Sequence, residues 1–170
     1  MMMVLNGHTH QDIQTYKDGV LYVSTACDTA YNDERYSPFV TQSTSYRTSG
    51  TTHEQAFDVV QILAEHSKIQ FTRIGNLFDR LFNLGKNTIA IGGTVQLTSS
   101  LSSVSRWVSN DAEKSNTNKY DTSTNTWSYS SNVCSVDSNG LVTGLSVGEA
   151  FVFAEDDNHN KEFWYIVVTQ

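Results

Sequence analysis

Residues 133–154 read "VCSVDSNGLVTGLSVGEAFVFA" and carry the clearest fold signal in the chain. Apolar and polar residues alternate at its start, which is typical of a strand with one buried face. Asn139-Gly140 then predicts a tight turn, because these residue types accept a positive φ. A short strand at 141–143 and a more apolar strand at 150–154 follow. The stretch therefore predicts antiparallel β structure.

The sequence on either side of this stretch repeats the same pattern. "TIAIGGTVQLTSS" (residues 88–100) predicts two strands around a Gly-Gly turn, and residues 163–168 predict another strand. Strands at intervals of about 8 to 12 residues, joined by turns that contain Gly, are typical of a β-sandwich. Residues 111–126 are almost purely polar and predict an exposed insertion. We expect Leu141, Leu145 and Val147 to face the core of the sandwich.

The segments "IGGTVQL" and "VCSVDSNGLVTGLSVGEAFVFA" resemble the bacterial Ig-like group 2 module, and the resemblance spans residues 87–169. It implies an adhesive or spacer unit of the kind found in bacterial surface proteins and phage structural proteins, and no catalysis. The polar insertion departs from the family pattern. Trp127 fits the core tryptophan of the family better than Trp107, which would then lie on an added ribbon.

The first half of the chain also predicts strands rather than helices. Runs that contain Val, Ile, Tyr and Phe occur at 13–16, 19–24, 56–63 and 68–74, whereas residues 28–52 are polar and aperiodic. Residues 75–84 are expected to trail away from the last of these strands. The expected fold class is all-β with two small domains, residues 1–85 and 86–170.

The segment "NGHTHQD" (residues 6–12) resembles the Gly-His-x-His motif of the calcineurin-like metallophosphoesterases. The strands that follow it extend the resemblance to residues 3–83, as the C-terminal part of a phage-type member of that family. The resemblance implies that His8 and His10 bind two divalent metals, Mn, Fe or Zn, which activate water and clamp phosphate oxygens.

The other metal-binding motifs of that family precede Gly-His-x-His, and only six residues precede Gly7. We therefore expect His8 and His10 to be metal ligands only if another polypeptide completes the site, and this chain alone to have no catalytic and no cofactor-binding residues. The local sequence alone favours the alternative that both histidines are exposed loop residues without a metal. His53 is the best third ligand for a single zinc ion, a weaker alternative.

Two further groups of residues have a chemical and a structural interpretation. Glu155, Asp156, Asp157 and His159 form either a metal site or a solvated hairpin tip, and the absence of a ligand-spacing pattern favours the tip. Cys27 and Cys134 are the two cysteines, and we expect both to be free thiols, as in a reducing compartment.

The charge balance excludes one class of partner. The formal net charge is -7 and is shared by the two halves, so neither half offers the basic surface that a nucleic acid requires. No apolar run approaches the roughly 20 residues of a membrane span, and no signal peptide is recognisable. We expect a soluble protein whose localisation the sequence leaves open, with a virion or a cell surface as candidates.

These observations favour a non-catalytic structural or adhesive protein, with the downstream fragment of a two-metal phosphoesterase as the alternative. The truncated first half should leave apolar side chains uncovered for a protein partner: Val20, Tyr22, Phe57, Val59 and Phe71. The Ig-like half could bind a cell-surface or carbohydrate ligand through aromatic side chains: Trp107, Tyr120 and Tyr129.

Overall fold

The computed structural model of the protein describes residues 2–6, 13–17, 20–25, 56–75, 78–111, 119–121 and 126–170. These residues form strands and one 3-10 turn (Ala64–His66), with no α-helix among them, so the predicted all-β fold class is confirmed. The strands are β1 (Met2–Asn6), β2 (Ile13–Lys17), β3 (Val20–Ser24), β4 (Ala56–Leu63), β5 (Lys68–Gly75), β6 (Arg80–Ala90), β7 (Thr94–Gln96), β8 (Arg106–Asp111), β9 (Lys119–Asp121), β10 (Thr126–Ser128), β11 (Cys134–Val136), β12 (Leu141–Gly144), β13 (Gly148–Glu155) and β14 (Lys161–Thr169).

The described strands form three main sheets. The central sheet has the order β4-β5-β6-β14-β13-β8, the N-terminal sheet has the order β1-β3-β2, and the C-terminal sheet has the order β11-β12-β7. A further hairpin joins β9 and β10 within the predicted polar insertion. The strands predicted at 13–16, 19–24, 56–63 and 68–74 are confirmed to within about one residue.

The central sheet is covered on both faces. Phe151 and Phe153 of β13 pack in one apolar cluster with Leu21 of the N-terminal sheet. Val152 between them packs in a second cluster with Val142 of the C-terminal sheet. Because successive side chains of a strand point to opposite faces, the three sheets are stacked as three layers. This burial on both faces explains why β13 and β14 read as nearly continuous apolar runs.

Strand β6 connects the two halves of the chain. It runs through the predicted boundary at residues 85 and 86 and pairs in parallel with β14. The prediction that residues 75–84 trail away is wrong from Arg80 onward, because β6 lies between β5 and β14. The expected strand pair around Gly92-Gly93 is also corrected, since β6 and β7 belong to different sheets and the turn carries the chain from one layer to the next.

Three expectations about the core are corrected. Phe71 was expected to be uncovered, but it is fully buried because it belongs to the cluster that the N-terminal sheet closes. Leu145 and Val147 are exposed, since both follow β12 in the connection to β13, and Leu141 is exposed because Val142, its neighbour on β12, takes the inward face. Trp107 lies on β8 of the central sheet and packs against Trp164, with ring centroids 5.2 Å apart, rather than on an added ribbon.

The turn between β11 and β12 depends on a glycine. Gly140 has a φ of +82°, whereas Asn139 is not in the positive-φ region, so only the glycine uses its conformational freedom here. A Cβ at Gly140 would lie 2.7 Å from Cζ2 of Trp107. The turn therefore needs glycine both for its backbone and for the close approach of the indole ring.

The side chain of Trp127, the predicted core tryptophan, lies outside the described residues.

Candidate functional site

The predicted metal ligands His8 and His10 lie outside the described residues, which end at Asn6 and resume at Ile13. The same is true of His53 and Cys27. The metal role of the two histidines therefore stays a prediction. Within the ranges that the structure describes, no three His, Cys, Asp or Glu residues converge in an arrangement that could hold a metal ion.

A row of charged side chains crosses one face of the central sheet, and we call it the charged row. It follows the strand pairing from one edge of the sheet to the other, and most of its members are buried. Its members are Asp58, Arg73, Arg80, Lys161, Glu155 and Arg106. Buried charges of this kind are retained in proteins when they are paired and hydrogen-bonded.

Asp58 joins two arginines at one end of the charged row. Its Oδ1 accepts a hydrogen bond from Nε of Arg73 at 2.7 Å, and its Oδ2 accepts one from Nη2 of Arg80 at 2.9 Å. Arg80 also donates to the backbone oxygen of Ser24 at the end of β3, and its guanidinium lies 5.0 Å from the centre of the Phe71 ring. Arg80 therefore ties the N-terminal sheet to the central sheet.

Glu155 occupies the other end of the charged row. Its carboxylate contacts Lys161 at 3.4 Å, Nδ1 of His159 at 2.7 Å and the guanidinium of Arg106. Burial alone would raise the pKa of Glu155, but the charge of Lys161 and the contacts with His159 and Arg106 outweigh burial and hold that pKa below its ordinary value. Glu155 is thus a stable anion.

A second buried carboxylate, Glu162, lies on the opposite face of the central sheet. It accepts hydrogen bonds from Asn83 at 2.9 Å, from the backbone N–H of Ser100 at 2.7 Å and from the hydroxyl of Ser99 at 2.9 Å. Burial raises the pKa of Glu162, but these hydrogen bonds lower it by more, so the net shift is downward. Glu162 therefore anchors the segment after β7 to the sheet.

The chemistry of these groups is that of structural support. Asp58, Glu155 and Glu162 are each contacted by cations or by N–H and O–H donors. For Glu155 and Glu162 these contacts lower the pKa, so both carboxylates are poor proton acceptors. Removing one partner from a buried ion pair is strongly destabilising, because the other charge is left uncompensated. We assign Asp58, through Arg80, and Glu162 to holding elements of different layers together, and Glu155 to joining neighbouring strands of the central sheet.

The sequence contains a signal for the charged row that was missed. Four of its members stand two positions from a buried aromatic residue on the same strand: Arg73 from Phe71, Arg80 from Phe82, Lys161 from Phe163, and Glu155 from Phe153. Residues two apart on a strand share a face, so each of these charges points into the core region. A charged residue two positions from an aromatic residue on a predicted strand was therefore the sequence pattern that could have indicated the row.

The tip of the β13–β14 hairpin uses its acidic residues to build the turn. Oδ1 of Asp156 accepts the backbone N–H groups of Asn158 and Asn160, both at 2.9 Å, while Asp157 is exposed. His159 has a φ of +66° and its ring lies 5.0 Å from that of Phe78. The carboxylates face different partners rather than a shared ion position.

Cys134 is a free thiol, as predicted for it, and it is fully buried on β11 in the apolar cluster between the C-terminal and central sheets. Burial raises its pKa to about 11, with the Ser131 hydroxyl opposing this shift. A thiol with a raised pKa has little thiolate at neutral pH and reacts slowly. Cys134 therefore acts as a small core residue.

An apolar surface is exposed on β4 and β5, and we call it the apolar edge. Its members are large apolar side chains with exposed fractions between 37% and 68%: Phe57, Val59, Val60, Ile62 and Ile74. The expectation that Phe57 and Val59 are uncovered is confirmed. Tyr22 is exposed as well, and Val20 is half-buried.

A cleft of about 320 Å³ lies beside β8 at the other edge of the central sheet. Arg106, Trp107, Ser109, Tyr129 and Val136 are among the residues that line it. Two of the three aromatic residues expected to contact a carbohydrate therefore meet in one place. Both are partly committed to the core, since Trp107 packs on Trp164 and Tyr129 packs edge-on against Phe153. The side chain of Tyr120 lies outside the described residues.

No protein-family profile matches this chain, and no curated protein resembles it significantly. In the described part of the chain, no helix has the length and apolar character needed to cross a lipid bilayer. The functional assignment therefore rests on the residues and their arrangement.

Proposed function

We propose that this protein is a non-catalytic structural or adhesive module, located in a virion or on a bacterial surface. The observation that carries the proposal is the use of the buried carboxylates: Asp58, Glu155 and Glu162 are all engaged in holding sheets and loops in place. A core whose charged groups link three layers suits a protein that must keep its shape under load.

The resemblance of residues 87–169 to bacterial Ig-like group 2 modules supports a spacer or adhesive role. The cleft lined by Trp107 and Tyr129 offers aromatic and polar groups to a carbohydrate on that half of the chain. The apolar edge on β4 and β5 offers a surface for a protein partner. Both features belong to a protein that works by binding.

The competing function is that of a phosphoesterase fragment, and Gly7-His8-Thr9-His10 is the feature that favours it. In that case His8 and His10 would be metal ligands completed by another polypeptide. The two functions differ in a direct assay, because two imidazoles leave most coordination positions of a two-metal site to water.

The test is hydrolysis of a phosphodiester by the purified chain in the presence of Mn²⁺, together with calorimetry for metal binding. We expect no hydrolysis above the metal-only control and no tight binding. His8→Ala and His10→Ala are the informative variants, with His66→Ala as the matched control, since His66 is exposed at the β4–β5 turn. A rate that only the first two variants abolish would replace the structural proposal with the enzymatic one.

A further inference from the structure

The most unusual feature of the surface is the strand at one edge of the central sheet. Among the described strands, β4 has a single hydrogen-bonded neighbour, β5, and the two pair over eight consecutive residues without a register shift. Edge strands of natural proteins are normally protected by a bulge, a proline or an exposed charge. The sequence of β4, "AFDVVQIL", contains no proline, and its one charged residue, Asp58, is buried in ion pairs.

The apolar side chains of β4 lie on both faces of the sheet. Asp58 points to the face of the N-terminal sheet, so Val60 and Ile62 share that face, while Phe57 and Val59 lie on the other. Ile74 of β5 is directly opposite Phe57 and extends the second face. A free edge with apolar residues above and below it accepts another strand of the same character, which contributes main-chain hydrogen bonds and apolar contacts on both faces.

From these observations we infer that a second copy of this chain pairs with β4, antiparallel and edge to edge, to form a symmetric dimer with one continuous sheet. The strand that β4 accepts should be apolar on both faces, and β4 itself has this property apart from Asp58, whose charge is paired with Arg73 and Arg80 of the same chain. Such a contact is isologous and closed, because the same strand serves as both partners.

The charges are compatible with this pairing. In an antiparallel pair about a two-fold axis, opposite residues lie on the same face, so a register centred on Val59 or Val60 places Asp58 opposite Val60 or Ile62 of the second copy. The two Asp58 carboxylates are then not opposite each other. Each is also neutralised within its own chain by Arg73 and Arg80, so no like charges meet at the interface.

The area of the apolar edge sets the strength of the dimer. Its five side chains are 37% to 68% exposed, which corresponds to about 400 Å² of apolar surface per copy and about 800 Å² for the pair. Stable interfaces bury about 1,200 to 2,000 Å². The main-chain hydrogen bonds add to the apolar contacts, but a dimer of this size is weak and concentration-dependent. The inference does not depend on whether the protein is an enzyme.

Sedimentation equilibrium of the full chain between about 1 and 200 μM tests the inference. We expect the average mass to rise from 19.0 kDa toward twice that value. Ile62→Lys and Val59→Lys place a charge at the paired edge and should weaken association at least about tenfold. Val147→Lys is the matched control, because Val147 is similarly exposed but lies away from β4, and it should associate like the parent.

Hydrogen exchange of residues 56–63 provides the second measurement. In the parent chain we expect slower exchange there at high concentration than at low concentration, and no such difference in Ile62→Lys. A chain that stays monomeric over the whole range overturns the inference. So does a dimer that Ile62→Lys and Val59→Lys leave intact, or a dimer whose formation does not slow exchange in β4.

Discussion

Substituting Asp58 with asparagine probes the ion pairs that join the N-terminal and central sheets. Asparagine keeps the size of the side chain and one acceptor oxygen but removes the negative charge between Arg73 and Arg80. The side chains of all three residues are at most 2% exposed, so water cannot replace the lost carboxylate. The positive charges of Arg73 and Arg80 then remain buried without the negative charge that balances them.

The magnitude follows from the geometry. Each pair has an N···O distance of 2.7 or 2.9 Å, and two unit charges near 4 Å apart interact by about 4 kcal/mol at an effective dielectric constant of 20. Asparagine recovers part of this through a neutral hydrogen bond. We therefore expect Asp58→Asn to lower the free energy of unfolding by about 3 to 5 kcal/mol, the range for a broken buried ion pair.

Urea unfolding monitored by tryptophan fluorescence measures this loss. Asp157→Asn is the matched control, because Asp157 is exposed at the hairpin tip, and it should change stability by no more than about 0.5 kcal/mol. The double variant Asp58→Asn/Arg73→Gln should lose less than the sum of the single losses, since the two residues share an ion pair. A loss below about 1 kcal/mol for Asp58→Asn, or strict additivity, would refute this reasoning.

Three further predictions follow from the other contacts. Gly140→Ala should destabilise the protein by about 1 to 3 kcal/mol in thermal unfolding, because alanine is strained at a φ of +82° and its Cβ would contact the Trp107 ring. An unchanged melting temperature would contradict the close packing. Lowering the pH below about 4.5 should reduce the urea midpoint, because the pKa values of Glu155 and Glu162 are depressed in the folded state. The stability that these two groups add is complete above their unfolded-state pKa and is lost as the pH falls through their folded-state pKa. Glu155→Gln should weaken this pH dependence. The isolated 86–170 fragment should bind a hydrophobic dye or aggregate, because Phe151 and Phe153 lose the cluster that the first half supplies; a monomeric fragment with native-like unfolding would show that the halves are independent domains.

The local pattern of the sequence was sufficient for most strands. Residues 13–16, 56–63 and 68–74 are short runs that contain β-branched and aromatic residues, and this composition can be recognised from the chain itself. The glycine of the β11–β12 turn was also predictable, since the backbone conformation of a tight turn restricts the residue type.

The stacking of the sheets into layers could not be predicted from the local pattern of the sequence. Whether Phe71 is covered depends on Leu21, and both lie far from Phe153 in sequence, although all three share one cluster. The charged row could not be predicted for the same reason, because each charged residue is expected at the surface until its partner on another strand is known. His8 and His10 were singled out from sequence alone, and their role as ligands stays a prediction.

The sequence by itself determined that this protein is built from short strands and where several of them lie. Those properties follow from side-chain periodicity and composition, which are local. Only the tertiary structure decided that the sheets stack in three layers, that Asp58 and Glu155 join oppositely charged side chains across strands, and that β4 lies at an edge with apolar side chains exposed. These features arise from pairing between residues distant in sequence, and such pairing is selected by the burial of the whole chain.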